Sequence, residues 1–204
     1  MKRAFGVLLA SWLMVLGLGA ATASAGRRAR PAPSPDPIAG NPHSRIRVII
    51  YQDLECPDCA QWHGIFVHQI IPEFGKEVGF EFRDFPLPQH LWSFNAAVLA
   101  RYFDEHNPPL GMAWRDYCFT HQNDLTPDNL LQRAAAWAAP YGITRAQLNQ
   151  VFTRSDLFAL VEADMQRGRE DHVEHTPTVL FNGTEATTPT ELVQWLRQAE
   201  AKAR

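Results

Sequence analysis

Cysteine is scarce in this 204-residue sequence, which contains only Cys56, Cys59 and Cys118. A structural zinc site takes four ligands, and the chain has neither a second C-x-x-C pair nor a suitably placed H-x(3–5)-H pair. His172 and His175 have the spacing of a possible ligand pair, although two histidines that flank a loop are commonly just solvated. We therefore expect neither a metal ion nor another cofactor.

The sequence also lacks a concentration of positive charge and, beyond its first 25 residues, a long apolar run. The formal net charge is −3 and the basic residues are scattered, so the electrostatic pattern of a nucleic-acid-binding protein is missing. No stretch after residue 25 is long and uncharged enough to cross a membrane. No dimerisation segment is evident, so we expect a soluble monomer that binds no nucleic acid.

The N-terminal segment has the pattern of a secretory signal peptide. Lys2 and Arg3 precede an uncharged apolar run over residues 4–20, and the small residues Ala23 and Ala25 mark a cleavage site. A signal peptide over residues 1–25 predicts a periplasmic or secreted protein. The alternative is an uncleaved N-terminal membrane anchor, because the apolar run is nearly long enough to span a bilayer.

The remainder of the chain divides into a linker and one domain. Residues 26–44 are rich in proline and have few apolar side chains, which predicts an extended, disordered linker. Residues 45–204 have the size and apolar content of one ordinary domain.

Within residues 45–204, apolar periodicity predicts an alternation of strands and helices. Strands are expected over residues 45–51, 78–85 and 178–181, and a block of several helices over about 90–172. A last amphipathic helix is expected over residues 189–201. This order indicates an α/β or α+β fold in which helices pack on a sheet.

Three residues punctuate the predicted helices. Pro72 is expected to end the first helix, which starts near Pro57. Thr144 and Gln147 have the spacing of a capping box, in which a threonine and a glutamine three residues later bond each other's backbone N–H groups. The pair therefore predicts the start of a later helix.

The segment Cys56-Pro57-Asp58-Cys59 carries the chemistry that the sequence makes most evident. At a helix N-terminus, unpaired N–H groups and the helix dipole favour a thiolate, so Cys56 is expected to be the nucleophile. Cys59 lies one turn later and shares a helix face with Trp62, so it should be less exposed and act as the resolving thiol. A structural disulfide is the alternative, but so short a loop constrains the unfolded chain little.

The third cysteine is expected to play no part in this chemistry. Cys118 follows Trp114 by four residues on a predicted helix, which indicates a packed, inert thiol. A regulatory or intermolecular disulfide is the alternative for this residue.

Several separated segments resemble the DsbA-like thiol-disulfide oxidoreductases. The first is the strand and dithiol segment at residues 49–59 (IIYQDLECPDC), and the second is FRDFPL at 82–87. Others are His90 followed by NAA at 95–97, the HTPT segment at 175–178 and FNG at 181–183. The resemblance covers the domain almost from end to end. It implies a thioredoxin-like sheet flanked by helices, with an inserted all-helical subdomain.

The resemblance also implies roles for individual residues. Pro177 is expected in the cis form, which would place Thr176 beside the dithiol, where its backbone can pair with an extended substrate. His175 could contact the thiolate or the substrate, or it could face solvent. Asp58 departs from strongly oxidising relatives, which carry histidine there. Together with Glu55 it should raise the pKa of Cys56 relative to those relatives, which predicts a weaker oxidant.

The function expected from these features is exchange of disulfides with exported polypeptides through Cys56 and Cys59. Unfolded or cysteine-containing polypeptides are the expected substrates, and a membrane redox partner is expected to recycle the dithiol. One alternative is a reductase or isomerase of the same fold. Another is a binding or chaperone-like module in which the dithiol forms only a structural disulfide.

Overall fold

A computed structural model of the chain describes residues 37–203, so the predicted signal peptide and residues 26–36 of the predicted linker lie outside the described residues. The strands are β1 (Ile38–Gly40), β2 (Ile46–Gln52), β3 (Val78–Asp84), β4 (Thr178–Phe181) and β5 (Thr184–Glu185). The helices are α1 (Pro57–Ile65), α2 (Ile71–Phe74), α3 (Ser93–His106), α4 (Pro108–Thr120), α5 (Leu130–Ala138), α6 (Arg145–Val151), α7 (Ser155–Glu170) and α8 (Pro189–Ala203).

The five strands form one sheet in the order β1-β3-β2-β4-β5. Strand β2 runs parallel to β3, and the other neighbouring pairs are antiparallel. Val48 and Ile50 are buried in the central strand β2, where hydrogen-bonded neighbours on both sides favour β-branched side chains. Helices α3 to α7 lie between β3 and β4 in the chain, which confirms the predicted α/β sheet with an inserted helical subdomain.

Strand β1 corrects the predicted start of the domain. Residues 38–40 lie inside the segment expected to be a disordered linker, yet they pair with β3, with Ile38 opposite Glu81. Hydrogen bonds extend the pairing, because the N–H of Phe82 donates to the carbonyl of Pro37 at 3.0 Å. The domain therefore begins before residue 45. A three-residue strand gains its order from a partner strand distant in sequence, which local composition does not reveal.

The first helix continues past Pro72, contrary to the prediction that this proline would end it. A wider π-helical turn at Phe66–Ile70 follows α1, and the N–H of Ile71 bonds the carbonyl of Phe66, five residues back. Proline in a regular helix lacks one N–H and clashes with the carbonyl four residues before it. The wider turn relieves that clash, so the helical path runs on to Phe74.

The described residues form three buried apolar clusters, and comparing the two largest shows where the cysteines lie. One contains Phe82 of β3 and Leu196 of α8. The other contains Trp114 and the interior of the helical insertion, together with Cys56 and Cys59. The two cysteines therefore pack where the insertion meets the segment that follows β2.

Buried ion pairs join the insertion to the sheet. The guanidinium of Arg115 on α4 is fully buried, donating to Asp84 at the end of β3 at 2.9 Å and to Asp104 on α3 at 3.0 Å. Gly111 lets α3 and α4 approach closely enough for this contact, because a Cβ there would lie 2.9 Å from the backbone nitrogen of Asp104.

Candidate active site

Cys56 lies at the N-cap of α1, directly before Pro57, and Cys59 lies one turn further along the helix. All three cysteines are free thiols. Cys56 is 6% exposed and Cys59 is 2% exposed, so the first cysteine is the more accessible one, as predicted. The Cys56 thiol donates a hydrogen bond to the carbonyl of Thr176 at 3.3 Å, and the Cys59 sulfur accepts one from the N–H of Asp53 at 3.3 Å.

The two thiols have opposite acidities. The pKa of Cys56 is lowered to about 6, chiefly because the Cys59 side chain hydrogen bonds to the sulfur. The backbone N–H groups of Cys59 and Asp58 act in the same direction, whereas burial opposes them. Burial raises the pKa of Cys59, and so does its hydrogen bond to Cys56. Cys56 is therefore the thiol that loses its proton first, while Cys59 keeps its proton.

The loop before β4 approaches the dithiol. The peptide bond between Thr176 and Pro177 is cis, as the sequence resemblance implied. A groove of about 340 Å³ runs between this loop and α1, lined by Thr176, Pro177, His175, Asp58, Gln61, Trp62, Glu185, Ala186 and Thr187. His175 is 63% exposed and contacts Glu185 at 3.3 Å, so it lies on the rim of this groove.

The two carboxylates expected to act on Cys56 lie in different surroundings, because Glu55 is bound by backbone N–H groups and Asp58 is exposed. Glu55 accepts hydrogen bonds from the N–H groups of Trp92 and Ser93, at 2.8 and 3.2 Å, and so lies at the N-terminus of α3. Glu55 is therefore bound by backbone N–H groups, and it is not among the main causes of the shifted pKa of Cys56. Asp58 is exposed at the groove, and its backbone N–H contributes to lowering the pKa of Cys56.

Asp53 supports the loop that carries the dithiol. Its side chain is buried, and it accepts hydrogen bonds from the N–H of Glu55 at 2.8 Å, the N–H of Leu87 at 2.6 Å and the ring of His90 at 2.7 Å. His90 therefore contacts this loop through the side chain of Asp53. Asp53 was not among the predicted site residues, although an acidic residue directly after an apolar strand and three residues before Cys56 is a recognisable signal.

A second residue missed by the sequence analysis is Gln122. Its side-chain amide donates to the carbonyls of Leu54 and Cys56, both at 2.9 Å. Gln122 follows α4 and lies 66 residues after Cys56 in the chain, so no local pattern could have revealed the contact.

Cys118 lies away from this chemistry. It is fully buried on α4 in the cluster that contains Trp114, and burial raises the pKa of its thiol well above the ordinary value. This agrees with the predicted inert thiol.

Residues 37–203 offer neither a cluster of metal ligands nor a membrane-spanning helix. No group of three or more His, Cys, Asp or Glu side chains in this range could hold a metal ion, and His172 and His175 belong to no such group. None of the helices in the same range combines the length and apolarity needed to span a bilayer.

Comparison with known proteins identifies a family and a longer protein that this chain matches over part of its length. The family model described as Thioredoxin (Thioredoxin_4) matches residues 33–201. The chain is 27% identical over 167 residues to the Na(+)/H(+) antiporter NhaA 1 of Mycobacterium sp. (strain KMS), which covers 80% of the chain and 26% of the antiporter. The chain thus spans about a quarter of the length of the curated relatives it matches.

Solved structures share the fold at low sequence identity. For α-DsbA1 of Wolbachia pipientis the TM-score is 0.70 at 19% identity, covering 85% of this chain and 94% of that one. For MdbA, a thiol-disulfide oxidoreductase from Corynebacterium diphtheriae, the TM-score is 0.64 at 15% identity, covering 82% of this chain and 90% of that one. The fold expected from the sequence resemblance is confirmed.

Proposed function

The chain belongs to the thioredoxin family, and we propose that it is an exported thiol-disulfide oxidoreductase that exchanges disulfides with secreted or periplasmic proteins through Cys56 and Cys59. One observation carries the proposal. Two thiols one helical turn apart have pKa values displaced in opposite directions, and the more acidic one touches the backbone of the cis-proline loop.

The chemistry in the oxidising direction has two balanced steps. A substrate thiolate attacks the Cys56 sulfur of the oxidised enzyme, so the bond from Cys56 to Cys59 breaks and Cys59 leaves and takes up a proton. A second substrate thiolate then attacks the substrate sulfur of the mixed disulfide, and Cys56 leaves as a thiolate. The substrate loses two electrons and the enzyme gains them.

The acidity of Cys56 favours this direction. A thiol of low pKa leaves faster than an ordinary thiol, so a sulfur whose pKa is about 6 suits the second step. Burial keeps Cys59 protonated until it attacks the Cys56 sulfur of a mixed disulfide. A buried, protonated thiol is also protected from side reactions in the reduced enzyme.

The groove beside the dithiol is the proposed binding site for the substrate. The carbonyl of Thr176 lies at the reacting sulfur, and Pro177 and His175 line the same groove, where an extended segment of an unfolded, cysteine-containing polypeptide can lie. Asp58 also lines this groove, and like His175 it is exposed. A membrane redox partner would return Cys56 and Cys59 to the disulfide, and a periplasmic or secreted location follows from the N-terminal sequence pattern.

The test measures transfer of the disulfide directly. Oxidised protein is mixed with a reduced peptide that contains two cysteines, and peptide oxidation is followed by chromatography. We expect stoichiometric transfer by the wild type and none by Cys56→Ser. In the reverse direction, reduced Cys59→Ser is mixed with the oxidised peptide: the Cys56 thiolate attacks the peptide disulfide, one peptide sulfur leaves as a thiolate, and the mixed disulfide should be trapped because no resolving thiol remains at position 59. Cys118→Ala is the matched control, because it removes a thiol distant from this chemistry and should transfer normally.

The direction of electron flow is measured in cells. Free thiols are trapped by alkylation at the moment of lysis. The redox state of Cys56 and Cys59 is then read from the mass of the proteolytic fragment of this protein that contains both cysteines. A mostly oxidised pair supports the oxidase, and a mostly reduced pair supports a reductase or isomerase. If neither the wild type nor Cys56→Ser transferred a disulfide in either direction, the pair would form only a structural disulfide.

A further inference from the structure

We propose that Gln122 is a positioning residue that links the helical insertion to the nucleophile and helps to keep Cys56 ionised. The inference rests on the proposed function of Cys56. Gln122 touches no reacting atom, but both of its amide hydrogens are used on the loop that carries Cys56.

The contact joins parts of the molecule that the sequence separates widely. Gln122 belongs to the one-turn helix Gln122–Asp124 that follows α4, inside the insertion. Its amide bonds the carbonyls of Leu54 and Cys56, which lie on either side of Glu55. The same short loop is also held by the start of the insertion, where the N–H groups of Trp92 and Ser93 bond the carboxylate of Glu55.

The position of the Cys56 carbonyl matters because it also begins helix α1. This carbonyl accepts the helical hydrogen bond from Ala60 at 3.2 Å, so Gln122 fixes the residue from which the helix starts. The N–H groups of Asp58 and Cys59, which lower the pKa of Cys56, belong to that first turn. Donors stabilise a thiolate only while they stay directed at it. The amide of Gln122 also brings the positive end of a dipole close to Cys56.

The chemistry of an amide donor sets the choice of variants. Gln122→Met keeps the length and removes both donors, so Cys56 should lose part of its stabilisation. Gln122→Lys restores a donor of similar reach and adds positive charge. Gln122 is only half-buried at the surface of the insertion, so both side chains can be accommodated. Gln132→Met, on an exposed position of α5, is the matched control.

The experiment measures the rate of Cys56 alkylation by iodoacetamide against pH, with the site identified by mass spectrometry. We expect the midpoint to rise by about half a pH unit in Gln122→Met, and the equilibrium constant for oxidation of glutathione to fall about threefold. Gln122→Lys should return the midpoint to the wild-type value or below it. Gln132→Met should leave both quantities unchanged.

Melting temperatures of all variants distinguish a displaced Cys56 loop in a folded protein from a general loss of stability. The proposal is overturned if Gln122→Met titrates like the wild type, or if Gln122→Lys shows the same rise as Gln122→Met. These outcomes are distinct from failure of the proposed function, in which Cys56 of the wild type itself would titrate like an ordinary thiol or Cys56→Ser would still exchange disulfides.

Discussion

One neighbouring side chain makes the largest contribution to the acidity of Cys56, so a pair of substitutions at that position can test it. The hydrogen bond from Cys59 is the largest cause of the low pKa of Cys56. A hydrogen bond to a charged group contributes about 1.5–3 kcal/mol, and one pKa unit corresponds to about 1.4 kcal/mol. Cys59→Ala should therefore raise the pKa of Cys56 by about 1–2 units, from about 6 into the range of about 7–8.

Cys59→Ser is the matched variant, because its hydroxyl keeps the donor and removes only the resolving sulfur. We expect its Cys56 to titrate near the wild-type value. The assay follows the rate of iodoacetamide alkylation from pH 4 to 9, and the background is low because Cys118 is fully buried. A common midpoint for the alanine and serine variants would refute the assignment, since the side chain at position 59 would then contribute no hydrogen bond to the thiolate.

Three further predictions concern the surroundings of the dithiol. Arg115→Met leaves the carboxylate of Asp104 buried without this partner and Asp84 with Arg101 alone, so urea unfolding should show a loss of about 3–5 kcal/mol. The loss should shrink at lower pH, because burial raises the pKa of Asp104 and so favours its protonated form, and equal losses at pH 5 and pH 8 would contradict this reasoning. Burial lowers the pKa of His63 below its unfolded value, so the unfolded chain takes up the proton first as the pH falls. The melting temperature should therefore drop below about pH 6.5, and His63→Leu should weaken this pH dependence in melting curves. Asp58→His should lower the alkylation midpoint of Cys56 by up to about 1 pH unit and shift the glutathione equilibrium toward a stronger oxidant, with Asp58→Asn as the control. Unchanged midpoints in both variants would show that this carboxylate does not affect the pKa of the thiol.

Local signals in the sequence predicted the local structure well. Strand β4 was expected at residues 178–181, where it lies. The capping box formed as expected, because Thr144 accepts from the N–H of Gln147 and the Gln147 side chain accepts from the N–H of Thr144. The helix start at Cys56 and Pro57 was likewise readable, since it depends on residues within one turn.

Long-range contacts account for what the sequence did not reveal. Strand β1 is ordered by its pairing with β3, and its own three residues sit next to Pro37 and carry little signal. The sequence gives the charge of Glu55 but not its direction, which is set by the free N–H groups of α3. Gln122 reaches Cys56 only because the insertion folds back over the loop. In each case the partner lies dozens of residues away.

The close approach of α3 and α4 at Gly111 constrains which sequences can share this interior. Even one methyl group there would press on the backbone of Asp104, whose carboxylate is the second acceptor for Arg115. A homologue that retains the buried acid and guanidinium should therefore also retain glycine at the equivalent of position 111. A homologue with a larger residue there should have replaced the ion pair with apolar side chains. Positions 104, 111 and 115 should therefore covary across related chains.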